Sequence, residues 1–124
     1  MLNLEQVIRD VHRFVPNVWG VILVSEDGLP IDHAFTKAIG VDDPLIISGL
    51  LSSATGLIEN LLKELADSSM ELLFSQGDKL SILIGRVDIG FLAFVASPDA
   101  KLGPMLMEFK KQAKVISEAY KEVL

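Results

Sequence analysis

A chain of 124 residues is the size of one domain, and with half of them hydrophobic it can fill a core with Leu, Ile and Val. The absence of cysteine excludes a disulfide framework, thiol catalysis and thiolate metal sites. A net charge of −6 argues against nucleic-acid binding, Met1 to Gln6 shows no signal-peptide pattern, and no apolar run reaches the about 20 residues of a bilayer span, so a soluble cytoplasmic protein without membrane insertion is expected.

In chain order, Asn3-x-x-Gln6 reads as a capping box for a helix over Leu4 to Phe14, with Leu4, Val7, Ile8, Val11 and Phe14 at helical spacing. Pro16-Asn17 ends it. Val18 to Val24 is apolar and mostly β-branched, which predicts a strand buried on both faces. Glu26-Asp27-Gly28 supplies a hairpin turn, and Pro30 to Phe35 alternates as a second strand. Asp42-Asp43-Pro44 opens a second helix, because an acidic cap and an early proline suit a helix start. It runs to about Leu65. Met70 to Ser75, Lys79 to Gly85 and Gly90 to Ser97 read as three further strands. A last helix opens near Pro104 and buries Leu106, Phe109, Ala113, Ile116, Tyr120 and Val123. The order α-β-β-α-β-β-β-α predicts an α+β fold, a five-stranded antiparallel sheet flanked by helices. The most uniformly apolar strands, from Val18 and from Gly90, belong at its centre, and the strands carrying Asp32 and Glu71 at its edges. That gives the order 2-1-5-4-3.

The second helix does not read as a surface helix. No charge occurs from Pro44 to Ile58, whereas a helix lying on a sheet should be polar outside. Its outer side is predicted to hold Gly49, Ser52, Ser53 and Gly56, small enough for another helix backbone to approach. Each of those glycines costs about 1 kcal/mol against alanine inside a helix, which such an approach would offset. The next strand has no proline and one charge, so its edge lacks protection against pairing. Both features predict a homodimer through Gly49, Ser52, Ser53, Gly56, Met70, Leu72 and Phe74.

Catalytic and metal-binding patterns are not found. Gly49 to Gly56 lacks the lysine of a phosphate loop and lies within a helix. No Gly-x-Ser-x-Gly elbow exists. His12 reads as a solvent-side helix residue and His33 as an edge-strand residue, without metal-ligand spacing. Arg86 is the one candidate for an arginine finger, and its plainer role is a surface residue at a hairpin. Trp19 reads as core, and Lys110, Lys111 and Lys114 as a solvated helix face. No catalytic residue, metal or cofactor is expected.

The stretch Val18-Trp19-Gly20-Val21-Ile22-Leu23-Val24-Ser25-Glu26-Asp27-Gly28-Leu29-Pro30-Ile31 resembles the roadblock (dynein light chain, MglB-like) family. Gly103-Pro104 at the last helix is similar to the family as well. The resemblance implies a profilin-like roadblock fold and a homodimer in which second helices and third strands meet. It also implies a non-enzymatic regulator or scaffold of a Ras-like small GTPase. Ser48, Thr55 and Glu59, polar positions on the second helix, are the expected GTPase contacts. A structural adaptor in a larger complex and a small-ligand sensor are the alternatives.

Overall fold

The computed structural model describes residues 3–40 and 43–121. Eight elements follow one another: α1 (Leu4–Phe14), β1 (Val18–Ser25), β2 (Pro30–Phe35), α2 (Pro44–Ala66), β3 (Leu72–Gln76), β4 (Ser81–Val87), β5 (Gly90–Ala96) and α3 (Leu102–Lys121). All neighbouring strands are antiparallel, in the order β2-β1-β5-β4-β3. Order and element types match the sequence reading. Boundaries move by a few residues at β3 and β4, and Glu71 falls just before β3. Met1, Leu2, Asp42 and Val123, which enter the sequence reading, lie outside the described residues.

Local chemistry explains the element ends. Asn3 caps α1, its side-chain oxygen accepting from the Gln6 amide at 3.0 Å. Asp43 caps α2 in the same way through the Leu45 amide at 2.9 Å. The β1–β2 turn closes because Gly28 adopts φ 82°, where an L side chain is strained.

Burial sorts the sheet into two faces. On one, α1 and α3 cover Val21, Leu23, Leu83, Leu92 and Phe94 through Val7, Val11, Met105, Phe109 and Ile116. Phe109 comes close because Gly85 lies beneath it; a Cβ there would stand 2.5 Å from the ring. The other face, Ile22, Val24, Ile84, Ala93 and Val95, is packed by Leu51 and Met70. β5 is buried along its whole length, as a central strand must be. Trp19, expected in the core, is half-buried, with the Lys37 ammonium 4.0 Å from its ring centroid. His12 is half-buried rather than solvent-side: its Nε2 bonds the Val18 carbonyl, which fixes the end of α1 against β1.

The links into and out of α2 join the two edge strands. A helix of 23 residues extends about 35 Å, ample to cross a sheet whose strands stand about 4.8 Å apart. By length and composition α2 is also apolar enough to cross a membrane, contrary to the sequence expectation. In this fold one side of it is occupied by the sheet.

Candidate functional site

The site is the solvent side of α2 together with the edge strand β3. Ser48, Leu51 and Thr55 face the sheet and are buried. Ile47, Ile58 and Leu62 flank them, half-buried against the second core. The opposite side is apolar and open. Leu50 is 63% exposed, Leu57 72%, Leu61 52% and Leu65 74%. Burying what remains exposed of each of these side chains would stabilise an assembly by about 1–2 kcal/mol. Leu50, Ala54, Leu57 and Ile58 form one wall of an open groove of about 420 Å³; Leu73, Ile82 and Ile84 form the other. Its floor is the part of the sheet that α2 leaves uncovered, and β3 runs along its rim as the sheet's outer strand.

The expected interface residues divide. Gly49, Ser53 and Gly56 are exposed, and a Cβ at Gly49 or Gly56 would meet no atom within 4 Å. These three positions are free for a close approach. Ser52 is half-buried and turns to the β1–β2 hairpin, where its Oγ would lie 2.8 Å from a Cβ on Gly28. Leu72 is 39% exposed. Phe74 is half-buried against the α1–α3 core and so faces away from α2. Met70 is not an interface side chain: it is 2% exposed, inside the second core.

The expected GTPase contacts need a larger correction. Ser48 and Thr55 are 0% and 2% exposed. Their hydroxyls lie between α2 and the sheet, where no partner protein reaches; Thr55 Oγ1 donates to the Ser52 carbonyl at 2.9 Å. Glu59 is engaged within the protomer. One carboxylate oxygen accepts from Arg86, the other from the Met70 amide at 3.3 Å. Leu50, Leu57, Leu61, Leu65 and Leu73 were missed. The charge-free run from Pro44 was their signal, but it does not say which apolar side faces out.

Arg86 ties three elements together. It donates to Glu59 on α2 and to Glu26 in the β1–β2 turn at 2.9 Å, and its guanidinium stands 4.8 Å from the Phe91 ring centroid. The hydrogen bond from Arg86, then that from the Met70 amide, holds the Glu59 carboxyl below the usual carboxylate range. The same pairing raises the Arg86 pKa against the opposing effect of burial. A guanidinium held by two carboxylates is a clasp between the three elements. Among the described residues no three His, Asp or Glu side chains converge as a metal site.

The Roadblock/LC7 domain family model matches residues 5–97. Similar solved structures include an MglB with a tetrameric arrangement, 19% identical, over 97% of this chain and 89% of that one, at a TM-score of 0.83. The MglB of Myxococcus xanthus is 18% identical over 96% and 95%, TM-score 0.82. A Roadblock/LC7 domain from Streptomyces avermitilis is 17% identical over 97% and 99%, TM-score 0.82. At these identities the likeness is one of fold. No curated protein matches the chain significantly in sequence.

Proposed function

This chain belongs to the Roadblock/LC7 domain family, and on that premise we propose that it is a non-enzymatic, cytoplasmic homodimer that regulates a Ras-like small GTPase. The observation that carries the reading is the open leucine face of α2 beside an unpaired edge strand. Two copies related by a two-fold axis normal to the sheet pair β3 with β3 in antiparallel fashion and make one ten-stranded sheet. Each groove then receives apolar side chains of the other copy. The area expected is about 1,200–2,000 Å² in total.

The GTPase part of the reading rests on the family resemblance and on the likeness in fold to MglB. With Ser48 and Thr55 buried, the polar groups that α2 offers a partner are Ser53, Asn60, Lys63 and Glu64, all exposed. With Arg86 clasped, any acceleration of hydrolysis would come from ordering the GTPase's own switch loops. A regulator must discriminate between nucleotide states, because equal affinity shifts no equilibrium. Calorimetry against the candidate small GTPase, loaded with a GTP analogue or with GDP, tests this. Binding is expected to favour one state by about ten-fold or more, which is about 1.4 kcal/mol. Equal affinities would leave only a structural adaptor.

A further inference from the structure

We propose that the face formed by α1 and α3, across the sheet from α2, docks on an anionic lipid bilayer. These two helices carry six basic residues, Arg9, Arg13, Lys110, Lys111, Lys114 and Lys121, against four acidic ones. Their net charge is +2 in a chain of −6, which leaves −8 on everything else. Of the four acids, Glu108 is buried and its Oε2 stands 3.9 Å from Lys111 Nζ, offsetting part of that lysine's charge; Glu5, Asp10 and Glu118 remain at the surface.

Two large apolar side chains stand in solvent among these cations. Phe14 is 62% exposed and Met107 75%, and with Pro104, Glu108 and Lys111 they rim a recess of about 450 Å³. The Lys111 ammonium lies 4.7 Å from the Phe14 ring centroid. Met107, Lys110, Lys111 and Lys114 fall on one stripe of α3, at the three- and four-residue spacing of a helix face. Apolar tips beside lysines on one face suit a helix lying in the plane of a bilayer interface. The tips enter the acyl boundary while the ammonium groups meet anionic headgroups. Flexible lysines around a shallow recess fit a fluid surface without fixed shape. A folded acidic partner would call for fixed, converging donors. In the β3-paired dimer, on which this clause rests, the two-fold axis sets both α1–α3 faces on one side of the sheet. One plane then meets twice the charge, and the α2 pair faces away from it.

Co-sedimentation of the full chain with vesicles tests the proposal, using phosphatidylcholine alone and phosphatidylcholine with one-third phosphatidylserine. Binding is expected on the acidic vesicles only and should weaken with salt, which screens charge beyond about 8 Å at physiological ionic strength. Lys111→Gln and Lys114→Gln, at exposed positions, should each lower the partition coefficient about five-fold, the factor equal to about 1 kcal/mol per charge. Met107→Ser should weaken binding while leaving its salt dependence unchanged. A monomeric Leu57→Asp variant should still bind, more weakly, so failure of the dimer reading and failure of this one are distinguishable. Equal binding to both vesicle types, binding to neither at low salt, or full binding by the lysine variants would overturn the proposal. So would capture of soluble polyglutamate without vesicle binding, which would assign the face to an acidic polypeptide.

Discussion

Ser48 carries a hydroxyl that the fold buries and leaves without a hydrogen-bond partner. Such a group costs desolvation and returns nothing, and serine is a poorer helix former than alanine. Ser48→Ala should therefore raise stability by about 1 kcal/mol in urea unfolding. Its binding to any partner should be unchanged; a stability loss would mean that the hydroxyl has a partner in solution. Glu59 makes the opposite case. Its folded pKa is lowered by Arg86 and by the Met70 amide, so the stability it adds is complete above the unfolded value of about 4.3. That stability disappears as pH falls through the lowered folded value. Wild type should melt above Glu59→Gln near neutrality, and the two curves should converge in acid. A difference constant with pH would show that the carboxylate's charge is not what Arg86 holds.

On α2, two leucines separate folding from assembly. Leu51 is 7% exposed and Leu57 72%. Leu51→Ala opens a cavity under the helix and should cost about 2–5 kcal/mol. Leu57→Asp should leave the melting of the protomer nearly unchanged and shift sedimentation equilibrium to the monomer. A wild-type chain already monomeric at micromolar concentration would remove the dimer. For β3, amide exchange over Leu72–Gln76 should slow as protein concentration rises, since pairing covers a free edge. Rates independent of concentration would leave β3 unpaired. The legible parts of this molecule were those written in local signals. Asn3 before a helical stripe, Gly28 after two acidic residues, and the unbroken apolar runs of β1 and β5 gave caps, hairpin and strand order. The rotation of α2 about its axis was not legible. From Pro44 to Ile58 no charge marks the outside, and Ser48 and Thr55 read as outward until the helix is seen lying on the sheet through them. Met70 was lost for a related reason: its side chain packs into the core under α2 while its amide bonds Glu59, and no periodicity records either contact.

For the whole molecule, symmetry constrains function more than any single residue does. The proposed dimer, closed through β3 and the leucine side of α2, would place two α2 helices beside one axis; on the single protomer Ser53, Gly56 and Asn60 are exposed. An asymmetric partner seated on that axis covers it once, so the complex should hold two copies of this chain for each GTPase. Light scattering behind gel filtration reads that ratio directly. The charge distribution sharpens the prediction. With −8 outside α1 and α3, the rest of the molecule as a whole should steer a basic partner face, and charges at the rim act mainly on association rate. Glu64→Lys should therefore slow association, lower its salt dependence, and leave dissociation nearly unchanged. A one-to-one ratio would move the partner off the axis, onto a surface that a single protomer already presents.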